Sequence, residues 1–183
     1  MVMTRFTQYL EDKVTQSKIL FSGLLRCYMK VIKNEAELAG IDKDDHVLFI
    51  GGGAAPCSAI AMQKLTGAKV TVIDNDRDCI RKSKALAKKM NFSKDMIKIK
   101  HMEGEFVDAG DYSVIHLALQ VSPKEKVLDR VYKTMKPNTR VLVRHPKESR
   151  KCFYDVNLRK RCSECSMVEH KNFTNIQATA MYL

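Results

Sequence analysis

The chain is predicted to be an α/β domain: a doubly wound, seven-stranded sheet of five parallel strands and an antiparallel C-terminal hairpin, behind N-terminal helices. Three observations predict it. From Asp45 onward, short β-rich runs alternate with helical stretches, the pattern of parallel βαβ units. The first run passes directly into Gly51-Gly52-Gly53 and a further helical stretch, a strand delivered to a glycine turn at a helix start. The last two runs are joined only by Thr174-Asn175, too short for a parallel crossover, which needs roughly a dozen residues.

The elements follow in order. Residues 4–33 place Phe6, Leu10, Val14, Phe21, Leu24, Tyr28 and Ile32 mostly three and four apart, an apolar helical stripe with a break expected near Ser22-Gly23. Strand-like runs occupy residues 47–50, 69–73, 97–101, 112–117 and 140–144, and helical stretches fill 54–65, 77–90 and 123–135. The third stretch opens Ser122-Pro123-Lys124-Glu125, which reads as a capping box with proline in the first turn. An amphipathic piece at 149–160 leads to the closing runs 167–173 and 176–183. Residues 1–44 form a helical cover and 45–183 a binding domain, together one compact unit without repeat or linker.

Composition narrows the function classes. Of 183 residues, 45% are hydrophobic and 29% charged, enough apolar material for one core. Thirty-two Lys and Arg against 21 Asp and Glu give a formal charge of +11, a surface that attracts anions. The apolar stretch 47–62 holds three glycines and a proline and falls short of the roughly 20 residues that span a bilayer. The early charges Arg5, Glu11 and Asp12 do not resemble a secretory leader, so a cytoplasmic protein without membrane association is expected. The six cysteines (Cys27, Cys57, Cys79, Cys152, Cys162, Cys165) then read as reduced thiols. Cys162 and Cys165 form one CxxC followed by His170, but a fourth ligand at ordered spacing is lacking, and no metal is expected.

The glycine turn carries the chemistry. Backbone N–H groups at such a turn can approach a ligand closely, and Asp74, 23 residues after Gly51 at the end of the next run, is placed to accept hydrogen bonds from ribose hydroxyls. Asp76 reads instead as the cap of the helix beginning near Arg77. The pair signals a nucleoside. A dinucleotide site would have a third glycine where Pro56 stands, and a second βαβ half in place of the terminal hairpin.

The order of elements over residues 45–183 resembles the Rossmann-like, class I S-adenosylmethionine-dependent methyltransferase family. Besides the glycine loop and Asp74, the matching features are Glu103-Gly104-Glu105 after the third run and Met135-Lys136-Pro137-Asn138 before the fifth. The resemblance implies S-adenosylmethionine as cofactor, held by Gly51, Gly52, Gly53, Ala54, Asp74, Asn75, Glu105, Phe106 and Leu117, with Gly51 and Gly53 near the methionine part and Glu105 and Phe106 facing adenine. Phe49 stands where that family usually has an acid, which removes one contact to the amino-acid end. Residues 49–60 (FIGGGAAPCSAI) resemble more closely the glycine loop of nicotianamine synthases and their relatives, which also lack the acid; residues 114–119 and 124–128 are similar to theirs as well. Those enzymes transfer the aminocarboxypropyl group to an amine nitrogen, with carboxylate and aromatic groups from a longer helical domain. Glu35 and Glu37 are left unassigned to that role.

The acceptor in such a fold sits beyond the carboxyl ends of the strands. The candidates there are His116, Leu119 and Gln120 after the fourth run and Arg144 and His145 after the fifth; a catalytic base is sought among His116, Gln120 and His145. His116 lies inside an apolar run, where histidine is more often a satisfied core residue. Tyr9 or Tyr28 would close the pocket, although aromatic residues on a helical stripe are usually core. Cys57 reads as a packing residue. Residues 77–100 hold nine Lys or Arg and residues 144–161 seven, including Arg159-Lys160-Arg161, without the regular aromatic interleaving that would support base stacking, so weak, non-specific nucleic-acid binding is the most these imply. The first functional reading is a methyltransferase acting on a small or anionic acceptor. The second is aminocarboxypropyl transfer that releases methylthioadenosine, and the third a non-catalytic cofactor-binding or RNA-binding module. The oligomeric state is not legible.

Overall fold

The computed structural model describes residues 17–93, 95–155, 165–171 and 174–183. The expectations for Phe6, Tyr9, Leu10 and Val14, for Arg159-Lys160-Arg161, for Cys162 and for Phe173 lie outside the described residues.

The elements run α1 (Lys18–Ala39), β1 (His46–Ile50), α2 (Cys57–Thr66), β2 (Lys69–Asp74), α3 (Arg77–Lys89), β3 (Ile97–His101), β4 (Val114–Leu117), α4 (Lys124–Thr134), β5 (Arg140–Pro146), β6 (Ser166–Glu169) and β7 (Ile176–Tyr182), with 3-10 turns at Gly104–Phe106 and Glu148–Phe153. The seven strands form one sheet in the order β3-β2-β1-β4-β5-β7-β6. The first five are mutually parallel, and β7 lies antiparallel to both β5 and β6, as the fold class requires. Chain progress reverses between β1 and β4, which makes that junction the switch point where ligands bind in open α/β sheets.

Two-residue alternation sorts the strand side chains between two cores. Val47, Phe49, Val70, Val72, Val114 and Leu142 meet α1 and α2 through Phe21, Leu25, Ile32, Ile60 and Met62. Leu48, Ile50, Ile73, Ile115, Leu117, Val141 and Val143 meet α4 through Val127, Leu128 and Val131. The helical cover thus shares a core with the sheet.

Three local expectations are corrected. α1 runs unbroken through Ser22-Gly23, where packing of Phe21 and Leu25 on the sheet outweighs the weak helix propensity of glycine. It also continues past residue 33 to Ala39, ending where Gly40 takes a left-handed φ of 57° and the Ile41 N–H bonds the Ala36 carbonyl. No capping box forms at Ser122: α4 begins at Lys124, Pro123 supplies no side-chain cap, and the Lys124 N–H is taken by Asp155 Oδ2 at 2.8 Å. The described part of the 149–160 stretch is the 3-10 turn Glu148–Phe153, which returns the chain toward α4 so that Asp155 can supply that cap.

The amino ends of the strands are tied by polar contacts. Arg140 donates to the carbonyls of Ala39 (2.6 Å) and Gly40 (3.1 Å) and pairs with Asp45, which also accepts from the Ser113 hydroxyl at 2.6 Å. The C-terminus of α1 is thereby fixed to the sheet. Lys124 is only 1% exposed, its Nζ donating to the Leu119 carbonyl at 3.3 Å, and burial pushes its pKa down to about 8 even though Asp155 favours the charge. Between pH 8 and 10.5 the unfolded chain therefore binds more protons at this site than the folded one, so its contribution to stability rises with pH across that window. Urea unfolding at pH 7.5 and 10 should show wild type gaining about 2–3 kcal/mol relative to Lys124→Met, at roughly 1.4 kcal/mol per pKa unit; parallel pH profiles would show that Lys124 is solvated.

Candidate active site

The glycine loop is held in place from β2. Gly51 and Gly52 both donate to the Ile73 carbonyl (2.9 and 3.2 Å), and the Gly53 N–H donates to Asp74 Oδ2 at 2.7 Å. Gly51 and Gly53 have φ of 83° and 63°, a region side chains rarely adopt. A Cβ on Gly52 would lie 2.1 Å from Val72 Cγ1, so the loop can press onto β2 only without one. Asp74 Oδ1 accepts from the Asp76 N–H at 2.9 Å, while Asp76 caps α3 through the N–H groups of Asp78 and Cys79, as expected. Each Asp74 oxygen keeps acceptor capacity beyond its one backbone bond.

A cleft of about 440 Å³ opens over this loop, within the range of small-molecule sites. One end is acidic, with Asp74, Asp76, Glu103 and Glu105; Glu103 Oε2 accepts from Asn75 Nδ2 at 3.1 Å. The other end has Tyr28, Leu119, Gln120 and Arg144, and Phe153, Tyr154 and Asp155 overhang it. Of the residues picked from sequence, the fold brings Gly51, Gly53, Asp74, Asn75, Glu105 and Gln120 to this wall. Gly52 lines a smaller recess of about 50 Å³ beside it, which shares Tyr28, Gly51, Gln120 and Arg144 with the main cleft.

Five other sequence choices lie off both walls. Ala54 is buried in the loop, Leu117 is wholly buried against α4, and Phe106, 75% exposed, sits beyond the cleft rim. His145 stands behind the wall with a buried, unpartnered Nε2, its pKa lowered by burial and by Lys124 and Lys151. His116 is wholly buried on the opposite face of β4 from Ile115 and Leu117, stacked on Phe49 with ring centroids 4.4 Å apart. It belongs to a cluster the sequence reading did not assemble.

That cluster centres on Glu35, which is fully buried. Its carboxylate accepts from Arg144 Nε (2.8 Å) and Nη2 (2.9 Å), from the Thr179 hydroxyl (2.6 Å), and from His116 Nε2 (3.0 Å). His170 Nε2 lies 2.8 Å from the same Thr179 oxygen, whose proton is already given to Glu35, so His170 is the donor. Arg144 Nη1 donates to Ser58 Oγ at 2.9 Å. Burial alone would raise the Glu35 pKa, but Arg144 and His116 outweigh it and hold the carboxyl well below its usual range. Burial and Arg144 lower the His116 pKa despite Glu35, which keeps that ring neutral near pH 7. The signal for Glu35 was present: it continues the α1 spacing Phe21, Leu25, Tyr28, Ile32 by one more step, on the buried stripe itself. Glu37 sits on the exposed face, 3.8 Å from Lys33.

The model of the family described as nicotianamine synthase protein matches residues 24–170 of this chain, from within α1 to the end of β6. The chain belongs to that family. Two curated relatives of this family member, both L-histidine 2-aminobutanoyltransferases from strains of Pseudomonas aeruginosa, are 29% identical over 117 residues, which is 64% of this chain and 44% of each relative. The chain thus spans less than half the length of the curated relatives it matches. Among solved structures, MtNAS in complex with MTA and tNA is similar at a TM-score of 0.80 and 19% identity, covering 96% of this chain and 69% of that one. An RNA methyltransferase from Salinibacter ruber, in complex with S-adenosyl-L-homocysteine, is similar at 0.66 and 19%, covering 83% and 88%. These likenesses show the fold, a Rossmann-like sheet shared with S-adenosylmethionine-dependent methyltransferases. Among the described residues, no helix is long and apolar enough to cross a membrane, and no group of three or more His, Cys, Asp or Glu could hold a metal ion.

The buried pair gives a stability prediction. Glu35→Gln leaves Arg144 in the core without its counter-charge, and breaking such pairs costs about 3–5 kcal/mol. Urea denaturation checks it, and a loss below about 1 kcal/mol would mean that water reaches the pair.

Proposed function

We propose that this protein binds S-adenosylmethionine over the glycine loop and transfers its aminocarboxypropyl group to an amine nitrogen. The observation that carries the binding reading is the cleft at the switch point. Gly51 and Gly53 line it at positive φ, and Asp74 and Glu103 stand at the end suited to ribose hydroxyls. The family match over residues 24–170 supports the choice of bond. So does Phe49, buried and stacked on His116 where a methyltransferase usually has an acid for the amino-acid end. These outweigh the order in which sequence alone ranked the reactions, which had methyl transfer first.

S-adenosylmethionine, when bound, would supply a sulfonium leaving group: an amine would bond to the γ-carbon as the C–S bond breaks and its electron pair goes to sulfur, methylthioadenosine would depart, and the new ammonium's proton would pass to water. The protein's own part is positional. The glycine loop is pinned by its bonds to the Ile73 carbonyl and Asp74, so it meets the ligand without rearranging. Leu119 and Val121 form an apolar wall beside the loop, and the 3-10 turn ending at Phe153 overhangs the cleft and limits water. Holding donor and acceptor in near-attack geometry is worth several kcal/mol in such displacements.

Two measurements test the reading. With S-adenosylmethionine and either L-histidine, the amino acid in the name of the Pseudomonas relatives, or cell extract, chromatography should show enzyme-dependent methylthioadenosine. S-adenosylhomocysteine in its place would establish methyl transfer, and neither product would leave a binding module. In calorimetry, Asp74→Ala should weaken S-adenosylmethionine by about 1.5–3 kcal/mol, the range for a hydrogen bond to a charged group; unchanged affinity would remove Asp74 from the site.

A further inference from the structure

We propose that Arg144, positioned by Glu35, is the carboxylate-binding group of the recess beside the glycine loop, an inference that rests on the transferase reading above. Arg144 projects from β5 with only 4% of its surface exposed, yet it lines both the main cleft and the recess. Glu35 grips Nε and Nη2 through separate oxygens, which fixes the guanidinium plane and leaves the Nη1 edge toward Ser58. Of the five N–H groups of a guanidinium, these bonds use three. The other two have no hydrogen-bond partner among the described residues.

The charge distribution gives the site its direction. The recess is lined by Phe49, Gly52, Pro56 and Ser58, among others, and Arg144 is the one charged side chain on its described wall. The five carboxylates of the main cleft, Asp74, Asp76, Glu103, Glu105 and Asp155, are absent from that wall, and Asp155, the one at the Arg144 end, accepts from the Lys124 N–H. A ligand with hydroxyls at one end and an α-carboxylate at the other is repelled at the acidic end if inserted backwards and paired with Arg144 if inserted forwards. At about 50 Å³ against about 440 Å³ for the main cleft, the recess suits a small end group better than a base or a sugar. Glu35 neutralises the net charge of the pair, so Arg144 acts on the recess at close range, through the direction of its N–H groups. Glu35 is therefore a positioning residue: it presents a planar fork whose free edge matches a carboxylate.

The carboxylate can belong to the methionine part of the cofactor or to an amino-acid acceptor, and one set of titrations separates them. In the first arm, calorimetry compares S-adenosylmethionine with decarboxylated S-adenosylmethionine, which keeps sulfonium and nucleoside. In the second, it compares L-histidine with L-histidinamide on protein saturated with methylthioadenosine. At least a tenfold preference for the carboxylate form is expected in one arm, and the arm identifies the source. The preference should fall below about threefold in Arg144→Lys, which keeps a buried cation beside Glu35. It should fall likewise in the double variant Glu35→Gln/Arg144→Met, which leaves no unpaired charge; near-UV circular dichroism checks the fold of both. A structural role alone would weaken all ligands alike and leave the preference intact, which overturns the proposal. Equal affinities in both arms of wild type, with methylthioadenosine still bound, overturn it and spare the transferase reading. Absence of binding by any adenosyl ligand overturns both.

Discussion

The buried contact between Glu35 and Arg144 is the constraint on which the rest of this structure depends. It joins the last turns of α1 to the carboxyl end of β5, and through Thr179 and His116 it reaches β7 and β4. A carboxylate and a guanidinium are costly to bury apart and tolerable only together, with every remaining lone pair satisfied. That demand sets where α1 crosses the sheet, brings Tyr28 to the cleft wall, and turns Arg144 toward the recess. At the opposite end of the same strands, Arg140 and Asp45 secure the end of α1. The helix is held at two polar points with an apolar stripe between them.

The glycine loop is organised by a different economy. Its N–H groups are spent on the end of β2 rather than left for a ligand, with Ile73 and Asp74 as their acceptors. Asp74 therefore has two tasks: it stabilises the loop through backbone bonds and offers its remaining lone pairs to the cleft. Phe49, one strand position earlier on the other face, packs on His116 and supports the recess from beneath. Where a methyltransferase places a charge, this chain places an aromatic ring, and the nearest fixed charge at that end of the cleft is the cation of Arg144.

Much of the architecture was legible because it is local. The strand runs, the glycines at a strand end, Asp76 as a cap and the antiparallel return of the last strand depend on interactions within a few residues and occur, but the last β-run ends at Glu169 and β7 begins at Ile176, so the link between them is longer than Thr174-Asn175. The local readings that failed met a competitor from elsewhere in the chain. The Ser122 capping box lost to Asp155, more than thirty positions on in sequence, and the glycine break in α1 lost to packing against the sheet.

By itself the sequence determined the α/β class, the strand count, the glycine turn with Asp74 at the end of the next strand, and the likeness of the loop to nicotianamine synthases. Only the tertiary structure decided which polar residues are buried together. Glu35, Arg144 and Thr179 are separated by 109 and 35 positions, and nothing in their neighbours says that their side chains converge. His116, a candidate base whose apolar run already favoured a core histidine, is a neutral donor to Glu35, while Arg144, named only as one candidate among several, lines both the cleft and the recess. The reason is physical. Periodicity reports which face of an element is buried, whereas the pairing of buried charges is a long-range contact that exists only once two helices and three strands have packed around it.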